Sequence, residues 1–285
     1  MNSVFRFLAG ERSLRADVLD ALRADGVIPH ETSERTVFGH ERVQIGFPLA
    51  SDRLRPAFDA MRRTHSTASL ALLDAQQRDL EPGWLVFDAD STLVDAEGID
   101  ELAARAGVGD EVAAITAAAM RGELDYEASL RDRTGRLAGL PWADVEAVAA
   151  SLPLSPGAVE TVEAAHERGW KVAVVSGGFL PLVGVIAERL GLDHAAAHRL
   201  TVRDGALTGA IEGAIVDAEA KAAIARELRG DGSLIAVGDG ANDVPLLEEA
   251  DVGVSFRAKP VLEDVADVVV RARDLRVGLA LALEG

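Results

Sequence analysis

Trp84-Leu85-Val86-Phe87-Asp88-Ala89-Asp90-Ser91-Thr92-Leu93-Val94 is the stretch whose reading decides the fold. Trp84 to Phe87 is a continuous apolar run opening behind Pro82-Gly83, the pattern of a strand buried on both faces. If extended backbone continues past Phe87, Asp88 and Asp90 point to one side, because strand side chains alternate with a period of two. Two carboxylates at the end of a buried strand repel each other unless a cation, a shared proton or a division of labour relieves them. A hard divalent cation such as Mg2+ takes carboxylate and carbonyl oxygens, and beside a phosphate it lets an anionic aspartate approach phosphorus. The second aspartate, with a raised pKa, would protonate the leaving alcohol and later take a proton from water. Alone, the pattern D-x-D-S-T is also found capping turns and helices.

Three further segments change its weight. Lys171 to Val175 is a second buried-strand run and ends in Ser176-Gly177-Gly178, where small residues let a hydroxyl and backbone N–H groups approach an anion. Ser233 to Val237 is a third, ending in the acidic, glycine-flanked turn Gly238-Asp239-Gly240-Ala241-Asn242-Asp243. Lys221, between these two, lies in a helix-like stretch and offers a compact charge suited to phosphate. In a parallel α/β sheet, ligands bind beyond the carboxyl ends of the strands. One pocket can therefore receive Asp88, Asp90, Ser176, Lys221 and Asp239. Each segment by itself reads as an ordinary turn or a solvated charge; their order and placement argue for a site.

With these motifs assembled, the chain resembles the phosphoserine phosphatases of the haloacid dehalogenase superfamily from about Trp84 to near the carboxyl terminus. The resemblance implies that Asp88 is the nucleophile, forming an aspartyl-phosphate, and Asp90 the general acid and base. It implies Mg2+ held by Asp88, the backbone carbonyl of Asp90, and Asp239, with Asn242 and Asp243 supporting the site. Ser176, Gly177 and Lys221 would hold phosphoryl oxygens. Glu97, nine residues after the nucleophile, would face a substrate ammonium, and Arg133, placed by local alignment through Arg121 to Arg133, its carboxylate. The implied reaction converts O-phospho-L-serine and water to L-serine and phosphate, the last step of serine biosynthesis. Two departures stand out. Tyr126 replaces a phenylalanine implied to pack over the substrate, and Ala89 a larger apolar residue between the aspartates.

Selection of an amino acid monophosphate needs an acid and a base beyond the phosphate site, and Glu97 and Arg133 supply them. Arginine suits a carboxylate because its planar fork makes two parallel hydrogen bonds. The alternatives are hydrolysis of another small phosphomonoester, phosphoryl transfer to an alcohol such as homoserine, or an amino-acid sensor whose catalytic half only binds.

Composition bounds the rest. The 285 residues suffice for about two domains. A formal charge of −18 disfavours nucleic acid or an anionic membrane as partner, since both are polyanions. Without cysteine there are no disulfides, which fits a reducing compartment. Val4 to Leu8, interrupted by Arg6, is too short for a secretion signal, and a cytoplasmic location follows as the default.

Turn residues at Glu81-Pro82-Gly83 divide the chain into 1–81 and 82–285. The first part reads as βαββαβ: a strand at Ser3 to Leu8, a helix at Ser13 to Asp25, strands at Thr32 to Phe38 and Arg42 to Pro48, a helix at Asp52 to Thr64, and a strand at Ser66 to Leu73. That order fits a small α+β ferredoxin-like domain of the amino-acid-sensing ACT type. Dimerisation, as a homodimer, or plain stabilisation is expected of it ahead of amino-acid sensing. From Ala96 to about Ser151 the pattern turns helical, with Ile99, Leu102, Ala103 and Ala106 on one face, and Tyr126, Leu130 and Leu137 in a comparable pattern later. This insert follows the nucleophile strand and can act as a cap. Beyond Pro156, alternating helices and strands predict a doubly wound, Rossmann-like α/β sheet. A hairpin interrupts it at Ala195 to Gly209, turning at Asp204-Gly205.

Overall fold

A computed structural model describes residues 3–8, 10, 12–24 and 27–283. The chain opens with β1 (Ser3–Leu8), α1 (Arg12–Ala24), β2 (Glu31–Val37), β3 (His40–Phe47), α2 (Ser51–Thr64), β4 (Leu70–Leu73) and the single turn α3 (Ala75–Arg78). Strand β5 (Trp84–Phe87) follows, then the helices α4 (Gly98–Ala106), α5 (Gly109–Met120), α6 (Tyr126–Arg136) and α7 (Trp142–Ser151). Next come α8 (Ala158–Glu167), β6 (Lys171–Phe179), α9 (Leu180–Leu190), β7 (His194–Arg203), β8 (Ala206–Glu212) and α10 (Ala218–Arg229). The chain closes with β9 (Leu234–Gly238), α11 (Val244–Glu249), β10 (Val252–Phe256), α12 (Pro260–Glu263), β11 (Val268–Val270) and α13 (Arg276–Ala282). Asp25, the expected last residue of the first helix, lies outside the described residues.

Strand β5 is an interior strand, paired in parallel with β9 on one side and β6 on the other. Its side chains alternate between two cores. Leu85 and Phe87 pack with Val172, Val174, Ile235 and Val237 under α8, α9 and α13. Val86 faces the opposite way and packs with Ala173, Val175, Leu234 and Ala236 against α10 and α11. Both faces being covered explains why the run has no polar alternation. The neighbouring pairs β6–β7, β9–β10 and β10–β11 are also parallel, giving the doubly wound α/β core. The hairpin β7–β8 sits at one edge, with Asp204 (φ 51°) and Gly205 (φ 77°) both left-handed, as a two-residue turn between twisted strands requires.

The first four strands run in the order β2-β3-β1-β4, all antiparallel, and β4 continues into the parallel sheet by pairing antiparallel with β11. One eleven-stranded sheet results. The strand expected from Ser66 begins only at Leu70, because Ala68 N–H turns back to His65 O at 3.0 Å. Two fully buried arginines anchor this half to the other. Arg6 on β1 donates from Nη1 to the carbonyls of Leu281 and Ala282 (3.1 and 3.0 Å), and Arg42 on β3 to those of Ala280 and Leu283 (2.9 and 2.6 Å). These carbonyls end α13 and have no partner inside the helix, so the cations satisfy them and complement the helix dipole.

The four helices between β5 and α8 form a block whose α4 buries Leu102 and Ala103 and half-buries Ile99 and Ala106, the face expected from their spacing. Helix α6 starts where Asp125 accepts a hydrogen bond from Ala128 N–H at 2.7 Å. Among the described residues no helix is long and apolar enough to cross a membrane. Replacing Arg6 by Met leaves the carbonyls of Leu281 and Ala282 buried without a donor, and should cost about 3 kcal/mol, read as a lowered urea midpoint with unchanged slope.

Candidate active site

Asp88 continues β5 by donating its N–H to Val237 O at 2.9 Å, so the neighbouring strand fixes it. Its carboxylate is almost fully buried; Oδ1 accepts from Ala89 N–H (2.7 Å) and lies 3.0 Å from Lys221 Nζ. Among the described residues Oδ2 has only a long contact, 3.5 Å to Asn242 Nδ2, and is the oxygen with spare lone pairs. The chain then reverses through Ser91, a non-glycine residue at φ 56°. This turn brings Asp90 and Glu97 to one cavity. Ser91 Oγ donates to Glu97 Oε1 at 2.8 Å, and Gly98 N–H donates to Asp90 Oδ1 at 3.0 Å.

At the end of β6, buried Ser176 accepts Gly178 N–H on its Oγ at 2.9 Å. A Cβ on Gly177 would sit 2.5 Å from Tyr126 Oη, and one on Gly178 3.0 Å from Asp90 Oδ2, so a side chain at either position would displace the tyrosine hydroxyl or crowd the aspartate. Beyond β9, Asp243 Oδ2 accepts the N–H groups of Asp239 (3.1 Å) and Gly240 (3.2 Å), which shapes the acidic turn. Lys221, on α10, is buried between Asp88 and Asp243 and forms ion pairs with both.

A cavity of about 200 Å³ connects these strand ends to α4 and α6. Asp88, Asp90, Ser176, Gly177, Asp239 and Asn242 from the strand ends line it together with Glu97, Tyr126 and Arg133. All residues nominated from sequence are brought together, but Lys221 and Asp243 lie beneath the cavity wall. Tyr126 is exposed rather than apolar core, and its hydroxyl lies 3.4 Å from Gly177 O and 3.3 Å from Val216 O. Lys259, just after β10, also lines the cavity and was missed. The rule that ligands bind at strand carboxyl ends applies to β10 too, and was the signal available for it.

Residues 84–251 match the haloacid dehalogenase-like hydrolase family. A phosphoserine phosphatase of Archaeoglobus fulgidus is 48% identical over 205 residues, 70% of this chain and 59% of that protein. One from Haemophilus influenzae is 42% identical over 229 residues, 78% of this chain and 73% of its own. The chain belongs to the phosphoserine phosphatase family of haloacid dehalogenase-like hydrolases. The crystal structure of a haloacid dehalogenase family hydrolase from Salmonella enterica serovar Typhi superposes with a TM-score of 0.86 at 27% identity, covering 99% of this chain and 98% of that one.

For a member of this family, the electrostatics of the site follow from crowding acids. Burial, then the charges of Asp88 and Glu97, push Asp90 up to about 7. Burial and the charges of Asp88 and Asp243 push Asp239 up to about 7. Asp243 is raised to about 6 by burial and Asp88, against the pull of Lys221. Glu97 is raised, chiefly by burial. Burial lowers the Lys221 ammonium, yet the charges of Asp88 and Asp243 outweigh it and hold it above its usual range. Oxygens of Asp88, Asp239 and Asp243 come within 4.8 Å of one another. Hard, negatively charged and mutually repelling oxygens fit a hard divalent cation.

Two tests follow. Asp239 stays protonated to about 7 in the folded chain against 3.8 as its ordinary value, so the native state holds more protons in that window and its stability falls as pH rises through it. A cation bound there removes the penalty and competes with the protons. Mg2+ should therefore raise the melting temperature more at about pH 8 than at about pH 5.5; equal shifts would place the cation elsewhere. Lys221→Met strands two buried carboxylates and should cost roughly 3 kcal/mol or more in chemical denaturation.

Proposed function

We propose that this chain hydrolyses O-phospho-L-serine to L-serine and phosphate through an aspartyl-phosphate on Asp88. The observation that carries the reading is the state of the arginines on α6. Arg131 is paired with Glu127, and Arg136 with Glu111 and Asp132. Arg133, by contrast, lines the cavity and forms no ion pair among the described residues, its one hydrogen bond being 3.4 Å to Ser129 O. An unpaired guanidinium lining the same small cavity as Asp88 suits a substrate carboxylate, and Glu97, which also lines it, suits an ammonium. The phosphoserine phosphatases of Archaeoglobus and Haemophilus support the same substrate.

In the first step Asp88 Oδ2 attacks phosphorus in line with the leaving oxygen, and Asp90 delivers its proton to that oxygen as the ester bond breaks. A carboxyl raised to about 7 is matched to this work near neutral pH. Asp90, now ionised, takes a proton from water as it attacks the acyl phosphate, which restores Asp88 and releases phosphate. Ser176 Oγ and the Gly177 N–H hold phosphoryl oxygens, and the buried Lys221 offsets charge on Asp88. The cation is assigned as Mg2+, with Asp88, the Asp90 carbonyl and Asp239 as its ligands and Asn242 and Asp243 supporting them. When bound it supplies positive charge that screens the phosphate dianion from the carboxylates.

The insert from 96 to 151 serves as a cap that excludes bulk water and limits substrate size. Residues 1–81 are assigned as a ferredoxin-like, ACT-like unit with a stabilising role, supported by the Arg6 and Arg42 anchors to α13. The acidic, cysteine-free composition supports a cytoplasmic enzyme working on a free metabolite.

Asp88→Asn should abolish phosphate release from every substrate. Arg133→Ala should reduce kcat/KM for phosphoserine by about a hundredfold while changing hydrolysis of a simple aryl phosphate by less than about threefold. Equal losses on both substrates in steady-state assays would remove Arg133 from carboxylate recognition.

A further inference from the structure

His198, on β7, takes no part in the chemistry above, yet it is almost fully buried and bonded at both ring nitrogens. Nδ1 lies 3.1 Å from Gly177 O and 3.1 Å from Gly178 O. Nε2 lies 2.7 Å from the N–H of Val216. Two carbonyls on one side need a donor, and an amide N–H on the other needs an acceptor, so the neutral ring with its proton on Nδ1 satisfies all three.

The partners of this ring give it a role. Gly177 and Gly178 belong to the irregular end of β6 that lines the cavity, and glycine peptide planes reorient at little steric cost. Val216 is next to Asp217, whose side chain caps α10 by accepting Ala220 N–H at 2.9 Å, and α10 carries Lys221. We infer that His198 is a positioning residue, its imidazole holding the peptide planes of the Ser176-Gly177-Gly178 segment at the end of β6 and tying that segment to the start of the Lys221 helix. Burial lowers the affinity of this ring for a second proton, consistent with its acting neutral. Tyr126 Oη approaches the same two residues, at the carbonyls of Gly177 and Val216, from α6. The helical insert therefore rests on the segment that His198 fixes. The inference rests on the reading of this segment as the phosphate cradle.

The test separates the two ring nitrogens. Asparagine can place its Nδ2 near the position of Nδ1 and keep a donor for the loop carbonyls; glutamine can place its Oε1 near Nε2 and keep only the acceptor for Val216. Binding of inorganic phosphate in the presence of Mg2+ is measured by calorimetry on the full chain and on His198→Leu, His198→Gln and His198→Asn. Leu and Gln should weaken phosphate by about tenfold, with Asn within about threefold of the unmodified protein. Undiminished binding in His198→Leu, or equal losses in Leu and Asn, would overturn the role. The nitrogen-15 signals of the unmodified protein give a reading that no folding defect can obscure. A buried imidazole protonated on Nδ1 is expected at about pH 7, and one protonated on Nε2, or on both nitrogens, would overturn the assignment. Phosphoserine turnover by the unmodified chain is scored separately, so a wrong substrate and a wrong positioning residue give different results.

Discussion

Electrostatic repulsion among carboxylates gathered at the ends of two adjacent strands is the constraint to which the rest of this site answers. Asp88, Asp239 and Asp243 are within one cation's reach, and Asp90 and Glu97 add charge to the same cavity. A single buried cation, Lys221, opposes them. The imbalance produces the raised proton affinities of Asp90 and Asp239. It thereby prepares one carboxyl to carry a proton and leaves the cluster short of positive charge, which a divalent ion can supply.

Such a cluster survives only because the fold spends backbone hydrogen bonds on it. Ala89, Gly98, Asp239 and Gly240 each donate an N–H to one of these carboxylates. Each bond favours the ionised form locally, while burial favours the neutral one, and the balance differs from residue to residue. That difference assigns roles. Asp90, with one backbone donor and two acidic neighbours, holds a proton; Asp243, with two donors and Lys221, is the member most tied to structure.

The amino-terminal half bears on the site mechanically. Its β4 pairs with β11, and β11 neighbours β10, whose end carries Lys259 into the cavity. Arg6 and Arg42 close the end of α13, which packs on the same face of the sheet as Phe87. Arg6 interrupts the apolar run Val4 to Leu8; its meaning, like that of Arg42 on β3, lies in helix carbonyls more than two hundred positions away.

The strand runs at Trp84, Lys171 and Leu234, the Asp204-Gly205 turn and the α4 face were legible because each depends on alternation, on helical spacing or on residues suited to positive φ. The residue types at three strand ends likewise announced an acidic, anion-binding site. Sequence also carried the choice of Arg133, though only the folded chain separates it from Arg131 and Arg136, which share its helix but find carboxylates there. Position beneath Asp88 rather than on the cavity wall, for Lys221, and the two-sided bonding of His198 depend on contacts between segments far apart along the chain. Local pattern determined which residues form strands and where charge gathers; the tertiary fold decided which charges meet, because burial and pairing are properties of neighbours in space.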